Sequence, residues 1–258
     1  MKFYRMNGLG NQFNIFDLRA EEEVSFARLN ELSFPNDYDQ LIVMLASKTA
    51  DCFMKIYNVD GSQAEACGNA TRCVARLIGQ DKVSIETVNR MLLVNKVGDE
   101  YQVNMGAATT NWSDIPLSHL ENTAELSLLD QTRFGLGYCV NVGNPHIVFF
   151  VEDVNQIDLA KEVSHLEKDQ LFPEGININI AQVISDNQIN AKTWERGAGA
   201  TLACGTGACA TFYAANKSGL VGSAAELVLP GGSLKMSLSQ DDEILMTGDA
   251  NLEESKEV

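Results

Sequence analysis

Long apolar runs are missing from this chain. The two longest, LIVMLA (residues 41–46) and IVFFV (residues 147–151), fall far short of the roughly 20 residues a helix needs to cross a bilayer. The opening MKFYRMNGLG carries none of the apolar stretch that a secretory signal requires. A cytoplasmic protein without membrane contact is expected. Basic residues are also scarce: 19 Lys and Arg stand against 35 Asp and Glu, a net charge of −16. No basic run offsets that balance, which excludes nucleic acid and anionic membrane as partners and leaves solubility as its meaning. Histidine is limited to His119, His146 and His165. They are scattered, and no cysteine spacing is that of a zinc knuckle, so no metal is expected. The 45% apolar content is enough for a sizeable core. At 258 residues, that core belongs to one large domain or two ordinary ones.

Six cysteines are present: Cys52, Cys67, Cys73, Cys139, Cys204 and Cys209. Without an export signal they are not read as a disulfide framework. Two of them share a phrase, EACGN around Cys67 and LACGT around Cys204. Laid over each other without a gap, residues 53–69 and 190–206 bring Cys67 onto Cys204. Downstream, residues 85–108 match 227–250 in punctuation, Asp99 meeting Asp241 and Gly106 meeting Gly248. Upstream, GLGNQFNIFDL lies over NVGNPHIVFFV, with Asn11 on Asn144. The same three blocks recur in the same order, which is the signature of a duplicated domain. The expected division is residues 1–110, joined by a C-terminal strand at 250–258, and residues 111–249. The polar stretch NWSDIPLSHLENTAE is expected to be the linker.

Each half reads mostly as strands. FMKIYNVDG alternates and then turns, and SIETVNRMLLVNKVGDEYQVNM reads as strand, turn, strand, turn, strand, the second turn at Gly98-Asp99. Residues 36–46 fit either a strand or a helix. One helix is expected per half, over about 69–78 and 206–218, each stopped by a glycine, Gly79 or Gly219. The second, GACATFYAAN, is small or apolar nearly all round, as a helix buried on every side would be. The fold class that follows is α/β (α+β): two pseudo-symmetric, strand-rich, barrel-like domains, each around a central helix.

Each Ala-Cys-Gly places a thiol where its helix begins. Unpaired backbone N–H groups and the positive end of the helix dipole favour thiolate there, below the free value of about 8.5. The glycine that follows leaves those N–H groups open to an anion. Two such thiols, one a base and the other an acid, could remove a proton from one face of a carbon and return it to the other, with no redox cofactor. The bland alternative is that these cysteines are small core residues, as Cys52, Cys73, Cys139 and Cys209 are expected to be. A redox disulfide between Cys67 and Cys204 is a third reading.

Several blocks together resemble the diaminopimelate epimerase family: YRMNGLGNQFNIFD, YNVDGSQAEACGNATRCVA, VGNPHIV, PEGININIAQV, WERGAGATLACGTGACA and LVLPGGSL. They run through both halves. The resemblance implies a cofactor-independent enzyme that interconverts LL- and meso-diaminopimelate for lysine and peptidoglycan synthesis. It also implies an active site in the cleft between two similar domains, and a homodimer. It makes Cys67 and Cys204 the base and acid. Gly68-Asn69 and Gly205-Thr206 would offer backbone N–H groups to the carboxylate at the reacting carbon. Arg196, Asn58, Asn144 and Asn177 would hold the far carboxylate, Glu195 would pair with an ammonium, and His146 would support the catalytic region. Asn11 and Gln40 complete the implied pocket.

Each assignment has a plainer rival. Asn11 in GLGN could be a turn former, His146 a structural histidine, and Glu195-Arg196 exposed charges. Asn179 shares a strand face with Asn177 but lies off the family's positions, and reads as merely solvated. Asn7, Gln12 and Ala200 depart from the residues common in the family, as does Asn69-Ala70-Thr71 from its usual Asn-Gly-Ala. Rival functions are a proline or hydroxyproline racemase of the same architecture, and a binding protein or redox sensor that uses the thiols differently.

Overall fold

The computed structural model describes residues 1–33, 37–64, 67–128 and 133–258. It divides into two compact units, Met1–Asn104 with Thr247–Val258, and Met105–Met246. Both are strand-rich with few helices.

In the first unit, β1 (Lys2–Gly8) and β2 (Asn11–Asp17) pair antiparallel with Gly8 opposite Asn11, which leaves Leu9 and Gly10 for the turn. Both turn residues have positive φ, 56° and 84°, as a two-residue hairpin that follows the strand twist requires. Asn7 Oδ1 accepts the Gly10 N–H at 3.0 Å. Asn11 is therefore a strand residue, and the turn-former reading of it is wrong. The strained position is Leu9, where a left-handed leucine costs about 1–2 kcal/mol and burial of its side chain offsets that.

α1 (Phe26–Leu32) follows, then β3 (Gln40–Leu45) and β4 (Cys52–Asn58), the short β5 (Gln63–Ala64), α2 (Gly68–Ile78), β6 (Lys82–Glu86), β7 (Met91–Val97) and β8 (Glu100–Ala107). The ambiguous stretch 36–46 is a strand over β3, and Asn36 lies outside the described residues. β7 and β8 close on Gly98-Asp99, with Val97 opposite Glu100. α2 stops at Gly79, φ 78°, whose N–H meets the Ala75 carbonyl at 3.1 Å. α1 is an addition to the expected elements. Seven residues capped by Ser25 and burying only Leu29 are too few to show a period.

The second unit carries β9 (Tyr138–Asn141), β10 (Pro145–Phe150), α3 (Leu159–Glu162), β11 (Asn177–Ser185), β12 (Gln188–Glu195), β13 (Gly199–Thr201), α4 (Gly205–Lys217), β14 (Ala224–Leu229), β15 (Gly232–Leu238) and β16 (Glu243–Gly248). Short α3 is again an addition to the expected single helix. α4 ends with Gly219 at φ 72° and paired bonds, Gly219 N–H to Asn216 O and Leu220 N–H to Ala215 O, the glycine-closed helix end. The last strand, β17 (Asn251–Glu257), pairs antiparallel with β1 in the first unit.

The duplication is written in the ladders. β1–β2, β2–β3, β3–β4, β4–β6 and β6–β7 run antiparallel, parallel, antiparallel, parallel, antiparallel. β9–β10, β10–β11, β11–β12, β12–β14 and β14–β15 repeat that series. In each unit the longest helix is wrapped by strands: α2 packs on β1, β6 and β7, and α4 on β9–β12, β14 and β15. Every residue from Gly207 to Ala215 is buried, as the all-round apolar pattern suggested.

The expected linker is no linker. Ile115 and Leu117 are buried in the second unit's core with Ile147, Phe149, Ile178 and Ile180, and Trp112 packs against them. Thr109 already bridges Asn141 through two backbone bonds of 2.9 and 2.8 Å, so the second unit begins before residue 111. With Ile178 and Ile180 on that core, the opposite face of β11 turns Asn177 and Asn179 away from it, and both are buried there too.

Candidate functional site

In the first unit Cys67 is the N-cap of α2, with extended backbone (φ −148°, ψ 106°). Its Sγ accepts the Ala70 N–H at 3.5 Å, and its carbonyl takes the Thr71 N–H at 2.9 Å. The N–H groups of Gly68 and Asn69 precede the first intrahelical acceptor, so the helix itself has no carbonyl for them. Glu65 and Ala66 of the EACGN phrase lie outside the described residues. The Asn69 carboxamide, buried, donates to Asn11 Oδ1 at 2.7 Å. Asn11 donates on to Asp39 Oδ2 at 3.3 Å, and that carboxylate also takes the Gln12 N–H at 2.8 Å. Gln40 Nε2 donates to Asn58 Oδ1 at 3.1 Å, and Asn58 Nδ2 to Ser62 Oγ at 3.0 Å. Cys67, Gly68, Asn69 and Asn11 are thus together, and Gln40 with Asn58 on the neighbouring strands. Asp39, which orients Asn11, is absent from the expected set; a lone acid before a strand carries no sequence signal of that role.

The second unit repeats the device. Cys204 caps α4 (φ −120°, ψ 109°), its Sγ accepting the Gly207 N–H at 3.3 Å and lying 3.5 Å from Thr206 Oγ1. Gly205 and Thr206 supply the two N–H groups without an intrahelical acceptor. The thiol is buried and touches the Glu195 carboxylate, which Thr201 Oγ1 also binds at 2.6 Å. Burial first, and then the Glu195 charge, push the Cys204 thiol well above its ordinary range. The Thr206 and Gly207 contacts pull it down but are outweighed. That corrects the expectation of a depressed thiol at this helix mouth: the dipole acts, and desolvation acts harder.

Around Cys204, Asn177 Oδ1 accepts the Arg196 N–H at 2.9 Å and its Nδ2 donates to the Pro145 carbonyl at 2.8 Å. Asn177 braces the backbone on both sides of it. The Arg196 guanidinium, on an exposed residue, lies against the carbonyls of Glu174 (2.9 Å) and Gly175 (3.4 Å). Glu167 holds the Trp194 indole N–H at 2.8 Å and the Gly197 N–H at 3.1 Å, bracketing Glu195-Arg196. His146 is fully buried, 3.0 Å from Asn144 Oδ1 and 3.2 Å from Asn179 Nδ2. Burial, aided by the positive Arg196, lowers its pKa to about 3. Both ring nitrogens are occupied, Nε2 by Asn144 and Nδ1 by Asn179. Asn179 is also fully buried, which overturns its reading as a solvated residue.

All six cysteines are reduced thiols. Cys52 and Cys73 are buried, and burial pushes each up to about 12. Cys139 is pushed up further by the same cause. These are inert core residues.

Two cysteines thus cap equivalent helices in a duplicated fold. The diaminopimelate epimerase family matches residues 3–111 and 138–253. The chain belongs to the diaminopimelate epimerase family. Diaminopimelate epimerase of Sphingopyxis alaskensis is 43% identical over 96% of this chain and 94% of its own length. That of Wolbachia sp. subsp. Brugia malayi is 42% identical over 95% and 96%. Among solved structures, an Enterococcus faecalis protein of the phenazine biosynthesis PhzF family shares the fold at a TM-score of 0.71 and 15% identity, covering 100% of this chain and 98% of its own. A hydroxyproline epimerase from Agrobacterium vitis does so at 0.65 and 12%, covering 99% and 91%.

Of the departures from the family, Asn7, Gln12 and Ala200 fall outside the two thiol caps, whereas Ala70 lies within one, its N–H donating to Cys67 Sγ. Asn7 closes the first hairpin, Gln12 Nε2 donates to Glu253 Oε1 at 3.2 Å, and Ala200 is exposed opposite Trp194. Among the described residues no group of His, Cys, Asp and Glu is gathered as a metal site, and no helix is long and apolar enough to cross a membrane.

Proposed function

We propose that this chain interconverts LL- and meso-diaminopimelate by a two-base reaction, without a cofactor, on the route to lysine and peptidoglycan precursors, as a cytoplasmic homodimer. The observation that carries the reading is the equivalent N-cap thiol in each half, in a chain that belongs to the diaminopimelate epimerase family. One thiolate takes the α-proton as the other thiol delivers one to the opposite face. One thiol and one thiolate enter, and one of each leaves, so the reaction needs no oxidant. The Cys204 thiol, raised by burial, starts as the acid, which leaves Cys67 as the first base.

The carboxylate on the reacting carbon is met by the N–H groups of Gly68, Asn69, Gly205 and Thr206. Such preorganised donors stabilise the charge that develops as the proton leaves. Glu195, beside the Cys204 thiol, pairs with the far ammonium. Arg196, Asn58, Asn144 and Asn177 serve the far carboxylate, while Asn11 and Gln40 orient the first unit's donors. His146 acts through Asn144. A proline-type substrate lacks the far charged groups and would leave Arg196 without work.

The reading is tested with reduced protein and LL-diaminopimelate in deuterated water, with Cys67→Ala and Cys204→Ala alongside. Deuterium at the α-carbon and formation of the meso isomer, both lost in each variant, are expected. Exchange into proline instead would keep the chemistry and replace the substrate; no exchange with either sinks the enzyme reading.

A further inference from the structure

His146, Asn179 and Thr193 are buried together in the second unit, and the hydrogen bonds among them have a direction. Asn179 Nδ2 lies 3.2 Å from the Ile147 carbonyl oxygen. A carbonyl only accepts, so this end of the carboxamide is the NH2 group. Its Oδ1 then takes the Thr193 hydroxyl at 2.9 Å. The same NH2 donates to His146 Nδ1 at 3.2 Å, so that ring nitrogen carries no proton. In a neutral imidazole the proton sits on Nε2, which donates to Asn144 Oδ1 at 3.0 Å. With its oxygen held, Asn144 has its NH2 group for a ligand. Arg196 is the charged group whose field reaches the ring. The residues beside His146 in the ladders, Val140 on β9 and Asn177 on β11, are uncharged. The first turn of α4 brings no charge either, and Cys204 at its cap is held as a thiol by burial.

The other half shows that the fold does not need this chain of hydrogen bonds. Phe13 stands opposite Gln40 as His146 stands opposite Asn177, and Ile42 pairs with Ile56 as Asn179 pairs with Thr193. Phe13, Ile42 and Ile56 are all buried. An apolar trio therefore fills the same positions. Close packing presses on the polar one: a Cβ on Gly207 would lie 2.6 Å from Asn179 Oδ1 and 2.8 Å from Thr193 Oγ1.

We propose that Thr193, Asn179 and His146 are positioning residues, a one-way hydrogen-bond chain that turns Asn144 so that it donates to the substrate's far carboxylate. This rests on the proposed role of Asn144, and the tests separate the two. In protein with 15N-labelled histidine, the His146 signal, assigned by its loss in His146→Gln, is expected as the Nε2–H tautomer from about pH 5.5 to about pH 9. An Nδ1–H tautomer, or titration within that range, would overturn the chain with no substrate present.

Asn179→Asp exchanges the NH2 group for an acceptor. Neutral His146 then holds its proton on Nδ1, Nε2 accepts, and Asn144 must turn its oxygen to the ligand. KM relative to wild type is expected to rise about tenfold at alkaline pH, the loss of one good hydrogen bond. It should fall back at acidic pH, where an imidazolium beside the introduced carboxylate carries both protons, and kcat should change less. A relative KM that is flat with pH, while Asn144→Ala raises KM, overturns the chain alone. An unchanged KM in Asn144→Ala overturns the role of Asn144 and the proposal with it. Should Asn179→Asp not fold, the wild-type tautomer still decides.

Discussion

Cys204 sits between opposed influences. Two hydrogen bonds at a helix mouth favour its thiolate, whereas burial and the Glu195 carboxylate favour its thiol, and the second pair wins. Glu195→Gln removes one unfavourable charge and leaves the packing in place. The thiol is then expected to ionise at lower pH, seen as ultraviolet thiolate absorbance appearing earlier in an alkaline titration of the variant. No shift, or a shift upward, would mean that the carboxylate does not act on this sulfur. Burial is a fact of three dimensions. The Cys-Gly phrase in the sequence shows the helix mouth and is silent on desolvation, so it locates the thiol correctly and points its ionisation the wrong way.

At the level of elements, the unusual part is a sulfur in a capping position that oxygen side chains normally fill. Serine can take over the cap but not the base. Cys67→Ser should therefore retain its fold and lose exchange activity, and Cys67→Ala should lose activity and in addition about 1 kcal/mol of stability relative to the serine variant. Denaturant melts of the two proteins check this; equal midpoints would mean the cap contributes nothing. Gly207→Ala puts a better helix former into α4 and still should raise KM, because its Cβ falls on Asn179 and Thr193. Ala70 holds the equivalent place in the other half, three residues after Cys67, and is buried there. Such contrasts explain what the sequence hides. The alternation of Asn177 and Asn179 tells that they share a face of β11, but not that α4 covers it. Helices as short as α1 and α3 have too few turns for a hydrophobic period, and the stretch after Gly106 reads as a linker because its buried Ile115 and Leu117 are spaced among polar residues.

For the molecule as a whole, buried groups that resist ionisation set the pH range of stability. His146 has a folded pKa of about 3, below its unfolded value of about 6.5. The unfolded chain binds that proton first, so stability falls as pH drops through this interval, by about 1.4 kcal/mol per unit. Cys52 and Cys73 have folded values raised to about 12. Unfolding releases their protons above about pH 8.5, so each lowers stability by a similar amount per unit as pH rises from there. Melting temperature against pH should peak between about 6.5 and 8.5. His146→Gln should flatten the decline between about pH 6.5 and 5, above the range where carboxylates contribute; an unaltered decline would show that the ring is not buried neutral. The duplication behind this architecture is legible in the order of three sequence blocks, because equivalent ladders demand equivalent turns, glycines and caps.

The return of β17 to β1 bears on how the protein is made. Residues 251–257 complete a sheet whose first strand begins at Lys2, and the Val258 N–H reaches the Met1 carbonyl at 3.0 Å. The ribosome therefore emits the first unit in two instalments with an uninterrupted second unit between them. Met105–Met246 is contiguous in the chain, whereas β1 keeps an open edge until residues 251–257 pair with it. The half that is synthesised first is the half that finishes last.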